Sequence, residues 1–160
     1  MDVKNKIVQS QKKIIDALSG CESNISLLYA KYAVKFPEMQ KQWSDLSKAE
    51  KMHANLLQTM HRILDRGIIF LNLGKFSDEA IQPMVALIED SIKKADAPTL
   101  SRNDAISTAL RIESSIMDSH FYDIVNSDAP EFKIIAERLS ADTKKHVDMV
   151  RNNLEQYTKG

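Results

Sequence analysis

Residues 39–64, MQKQWSDLSKAEKMHANLLQTMHRIL, decide the fold. Met39, Trp43, Leu46, Glu50, His53, Leu57, Met60 and Leu64 follow one another at steps of four and three. That spacing lines up side chains on one face of an α-helix. The outer members are apolar and belong in a core. The two at the centre, Glu50 and His53, are ionisable and share the same buried face.

The same interrupted stripe recurs on either side. Upstream, Ile15, Leu18, Ile25, Tyr29, Tyr32 and Phe36 form a helical stripe with Glu22 in the gap between Leu18 and Ile25. Downstream, Ile106, Leu110, Glu113, Met117, His120 and Ile124 form a third. Phe132, Ala136, Leu139, Thr143, His146, Val150 and Leu154 form a fourth, with Thr143 and His146 as its central polar pair. No stretch alternates as a strand would. The punctuation agrees: Pro37 ends the first helix, Gly67 and Gly74 loosen the end of the second, Pro98 precedes the third and Pro130 the fourth. The expected fold is all-α, a four-helix bundle forming a single domain over residues 1–160.

Heights along such a bundle follow from distances to the turns, because antiparallel neighbours bring residues equidistant from a short loop side by side. Glu22 and Glu50 flank Pro37 at similar distances, and Glu113 and His146 flank Pro130. Each hairpin therefore brings its polar pair to one level, about 20 to 25 Å from its turn. Residues 67–100 are too many for a tight connection. With a short amphipathic helix around Glu79 to Lys94, they form a crossover that makes the second and third long helices parallel. All the polar positions then meet at one level.

Composition limits the alternatives. Lys plus Arg and Asp plus Glu number 22 each, giving no net field for nucleic acid or an anionic membrane. Cys21 is the only cysteine, which excludes an internal disulfide or a Cys-x-x-Cys metal or redox pair. The polar start and the lack of a long apolar run predict a soluble, cytoplasmic chain without a membrane span.

Three buried carboxylates at one level need compensation, since an unpaired buried charge costs several kcal/mol. No Lys or Arg falls on the four stripes near them, so a bound cation is expected. Carboxylate and imidazole donors suit iron, manganese or zinc. A hydrogen-bond network without metal is the alternative.

Glu22, the run Glu50-Lys51-Met52-His53, Glu113 and His146, with Tyr29, Tyr32 and Ala33 after the first glutamate and Phe121-Tyr122 after the third, resemble the rubrerythrin-like branch of the ferritin-like superfamily. The resemblance spans nearly the whole chain. In that family two helices each give a Glu and two give Glu-x-x-His, together holding two irons, an arrangement familiar from such bundles. It implies a ferritin-like bundle and one or two iron ions, or manganese, held by Glu22, Glu50, His53, Glu113 and His146, with Glu113 or Glu22 bridging. It also implies an oxidoreductase of peroxidase or oxidase type acting on oxygen or peroxide, without haem or flavin. Two departures stand out. Thr143 replaces the glutamate of the second Glu-x-x-His, and Asp142, four residues before His146, is the candidate substitute. Ile116 stands where rubrerythrins commonly add a glutamate. The cysteine module of full rubrerythrins is missing, so a separate electron donor is implied. The alternative is a non-enzymatic metal-binding or scaffold bundle whose site has degenerated.

Tyr29, Tyr32 and Thr143 are expected around the ligands, His120 as a hydrogen-bonded core residue too far along its helix for the same ion, and His61 at the surface. Cys21 and Met39, Met60, Met84, Met117 and Met149 are expected as core filler. The apolar run Ile68, Ile69, Phe70 and Leu71 could cover the bundle end or meet a second subunit in a homodimer.

Overall fold

The computed structural model describes residues 2–68, 78–118 and 129–158. It is all-helical: α1 (Val3–Lys35), a 3-10 turn (Pro37–Met39), α2 (Gln40–Asp65), α3 (Asp78–Ala95), α4 (Arg102–Asp118) and α5 (Pro130–Thr158). His120, Phe121, Tyr122, Ile124, Gly74 and Ile69 to Leu71 lie outside the described residues. Among the described residues, no helix is long and apolar enough to cross a membrane.

Local chemistry sets the helix ends. The Asp2 carboxylate accepts from the Lys4 amide and caps α1. Pro37 has no amide hydrogen to continue the helix and starts the turn into α2. Gly67, at a φ of 81°, takes the left-handed conformation that closes α2, its amide donating to the Leu64 carbonyl. Ser101 and Asp104 cap α4 reciprocally: Ser101 Oγ accepts from the Asp104 amide at 3.1 Å, and Asp104 Oδ2 accepts from the Ser101 amide at 3.0 Å. Pro130 opens α5 at a position where a missing amide hydrogen costs little.

Cross-helix contacts give the directions. Ser26 pairs with Ser47, Ser19 with the Ala54 carbonyl, and His61 with Asp16, so α1 and α2 are antiparallel about Pro37. Arg102 at the start of α4 lies 3.8 Å from Glu38, while Glu113 farther along meets Tyr29, so α4 runs parallel to α2. At the same end, the Arg102 guanidinium covers the Tyr157 ring at 4.2 Å, whereas Glu113 faces His146, so α5 is antiparallel to α4. Helix α3 supplies the return journey, its C-terminal end held by Lys35, whose ammonium donates to the Ala95 and Ala97 carbonyls. The crossover thus restores the direction lost between α2 and α4.

The stripes of the first two long helices are buried as expected, from Ile15 to Phe36 and from Met39 to Leu64. In α4 the buried face is rotated. Ala105, Ile106, Ala109, Ile112, Glu113 and Ile116 face inward, Leu110 is half-buried, and Met117 is exposed. Met39, Met60 and Met84 fill core space, but Met117 and Met149 do not. Ile112 and Ile116 occupy the inner positions of α4, and Val147 and Val150 those of α5, which displaces these two methionines to the flanks. His61 is partly exposed and hydrogen-bonded to Asp16 at 2.8 Å, and Cys21 is buried.

Candidate metal centre

At mid-length the apolar core is interrupted by Glu22 from α1, Glu50 and His53 from α2, Glu113 from α4, and Thr143 and His146 from α5, all buried. Glu50 is central. Its Oε2 lies 3.0 Å from His53 Nδ1, and its Oε1 lies 2.6 Å from His146 Nδ1. Glu22 Oε2 approaches His53 Nδ1 at 4.0 Å, and Glu113 Oε2 approaches His146 Nδ1 at 3.8 Å. Each imidazole thus has its own outer glutamate and shares the inner one. The rings stack at 5.3 Å between centroids, 23° from parallel. The carboxylate set between the two histidines is Glu50.

The sequence spacing explains this convergence. Glu50 and His53, three residues apart, leave α2 on one face, and the near-equal distances to Pro37 bring Glu22 beside Glu50. The α4–α5 pair does the same for Glu113 and His146. Glu50, His53 and His146 offer ligand atoms within 4.8 Å of one another, and this buried group could hold a metal ion.

Burial and mutual charge set the protonation states. Burial alone would raise Glu50, but its contacts with His146 and His53 hold it well below the ordinary carboxylate range. Burial and the Glu50 charge push Glu22 well above that range. Burial and Glu50 likewise raise Glu113 to about 7, against the lowering effect of His146 and Tyr29. Burial opposes the charged form of His146, yet Glu113 and Glu50 outweigh it and push the imidazole up to about 10. His53 is raised too, its Glu50 contact overcoming burial. In the absence of a cation the cluster keeps protons on the imidazoles and on the outer glutamates, which neutralises those two carboxylates.

This neutralisation leaves polar atoms unsatisfied. Glu22 Oε2, Glu50 Oε1 and His146 Nδ1 are buried without a hydrogen-bond partner. The close Glu50–His146 approach has the distance of an ion pair but not the alignment of a hydrogen bond. Buried polar atoms of this kind are uncommon and costly. One open carboxylate oxygen, Glu22 Oε2, and a close but misaligned carboxylate–imidazole pair fit a bound divalent cation, and the donor set suits iron, manganese or zinc.

Around the cluster, the Tyr29 hydroxyl donates to Glu113 Oε1 at 2.7 Å. The Tyr32 hydroxyl turns to Thr108 instead. Thr143 donates to the Leu139 carbonyl of its own helix at 2.9 Å, so its hydroxyl is engaged one turn back. Asp142, partly exposed, places Oδ2 3.3 Å from His53 Nε2 and 3.8 Å from Arg138 Nε. It thus touches the far nitrogen of His53, the edge turned away from Glu50. With Nδ1 facing the cluster, an Nε2–H donated to Asp142 fixes the tautomer and orientation of the ring. Nothing in the helical periodicity could foretell that contact, which depends on the rotation of α5 against α2.

No family model matches the chain, and no curated protein or solved structure shows significant similarity to it.

Proposed function

We propose that this protein is a rubrerythrin-like, non-haem iron protein with a ferritin-like bundle, in which iron, or manganese, reacts with oxygen or peroxide in the core. The observation that carries this reading is the placement of Glu50 between His53 and His146, with buried polar atoms left without an aligned hydrogen bond. Glu50, His53 and His146 would hold the first ion, with Glu22 and Glu113 as outer carboxylates on the two sides. Bound iron would supply one-electron redox chemistry and an open position for an oxygen ligand.

The chain's own residues have separate tasks. Asp142 orients His53 through Nε2, Tyr29 holds Glu113 through its hydroxyl, and the apolar residues above and below, including Ile25, Leu57 and Ile112, exclude bulk water. Three glutamates leave about one positive charge uncompensated beside two divalent ions, which weakens the second ion. Electrons to renew the ferrous state would come from a separate donor.

A second reading, a non-enzymatic metal-binding or scaffold bundle, is favoured by Thr143, whose hydroxyl is committed to Leu139 rather than to the cluster. Stopped-flow oxidation separates the two. The redox reading expects the ferrous-loaded protein to be oxidised by peroxide faster than free ferrous ion in the same buffer. A trace that matches free iron leaves the scaffold reading.

A further inference from the structure

Beside the cluster lies a second feature that neither metal binding nor packing accounts for. Tyr29, whose hydroxyl sits on Glu113, has its ring centroid 5.5 Å from that of Trp43, and Trp43 is 5.0 Å from Tyr32. All three are buried. Aromatic packing would explain the rings, and Glu113 and Thr108 engage the two hydroxyls, but the indole N–H is left over. Trp43 Nε1 is buried without an acceptor, a cost that a phenyl ring of similar area would avoid. At the far end, Tyr32 lines a pocket of about 100 Å³ with Asp90, Ser91, Lys94, Thr108 and Arg111. Asp90, Lys94 and Arg111 are exposed there. The ladder therefore runs from a carboxylate of the cluster to a polar surface pocket.

On the basis of the iron reading above, we infer that Tyr29, Trp43 and Tyr32 form an electron relay that supplies the cluster with a second electron from a small reductant at the α3–α4 pocket. Reduction of peroxide to water breaks the O–O bond and consumes two electrons and two protons. A single bound ferrous ion would account for one electron, and the shortage of a fourth glutamate at Thr143 weakens a second ion. Tyr29 gives the other, its phenolic proton shifting along the hydrogen bond to Glu113. Trp43 then reduces the Tyr29 radical, which recovers its proton from Glu113, and Tyr32 reduces Trp43 while its phenolic proton leaves to water in the pocket. A one-electron reductant of the ascorbate class at the pocket restores Tyr32, giving up one electron and one proton. The two protons taken up by peroxide come from solvent.

The experiment is freeze-quench electron paramagnetic resonance on the full chain loaded with ferrous iron and mixed with peroxide. Iron content and peroxide consumption are measured on the same samples. The parent is expected to show an organic radical whose spectrum narrows when the protein carries ring-deuterated tyrosine, and ascorbate should erase it. Tyr29→Phe, which removes only a hydroxyl, should lose the radical while still holding iron. Tyr32→Phe should form it, but the signal should then survive ascorbate. A parent that holds iron and consumes peroxide without a radical overturns the relay and leaves the redox reading intact. The same radical with the same ascorbate decay in both variants also overturns the relay. A parent that holds no iron, or holds it without consuming peroxide, overturns the functional reading and the relay with it.

Discussion

Adding a divalent metal to the metal-free protein should expel protons, and the number follows from the cluster. At about pH 6 four groups hold protons that a cation would displace: Glu113, raised to about 7; His146, raised to about 10; Glu22, raised well above the carboxylate range; and His53, raised above its ordinary value. Ligation requires neutral imidazoles and favours ionised carboxylates, so about three to four protons should leave per ion bound. Each released proton raises apparent affinity about tenfold per pH unit, so affinity should climb about 1000- to 10,000-fold per unit near pH 6. The slope should ease above about pH 7, where Glu113 has already ionised, with His146 sustaining the rest. Metal-free stability should move the other way. The folded chain keeps the Glu113 proton between 4.5 and about 7, and the His146 proton between 6.5 and about 10, so stability falls as pH rises through both windows. Calorimetric titration with zinc in buffers of different ionisation enthalpy counts the protons directly. Glu113→Gln, which has no proton to give, should lower the count by about one. Release of less than one proton at pH 6, or an unchanged count in the variant, would refute the charge coupling argued here.

Two further outcomes follow from neighbouring residues. Thr143→Glu adds the missing fourth carboxylate one turn before His146 and should raise the metal bound per chain, measured by elemental analysis; a parental stoichiometry sinks the charge-counting argument. Asp142→Asn should instead leave stoichiometry alone and weaken affinity by about 10- to 100-fold, because it loosens the support of His53 at Nε2. Leu57→Ala, at a fully buried position beside the cluster, should cost about 2–5 kcal/mol in urea unfolding. Leu27→Ala, on the exposed face of α1, should stay within about 0.5 kcal/mol, and equal losses would contradict the assigned core.

Most of the helical layout was legible in the chain because apolar periodicity is a local property, and burial follows it directly. The stripes of residues 15–36 and 39–64 lie inward throughout, and the helix expected at Glu79 to Lys94 appears as α3. The meeting of Glu22, Glu50, Glu113 and His146 was also accessible, since antiparallel registry about Pro37 and Pro130 is simple counting. Helix rotation was not. The inward face of α4 is set by how Ile112 and Ile116 pack against other helices, and the alternation of threes and fours leaves a choice between adjacent faces that only packing resolves. The same freedom decided which groups touch. Glu50 stands between the histidines, Asp142 reaches across to His53, and Thr143 turns its hydroxyl back to Leu139. Each of these rests on side-chain direction between helices distant in sequence. Residue types and spacing determined that polar groups would be buried together; the tertiary structure alone decided which carboxylate each imidazole would face.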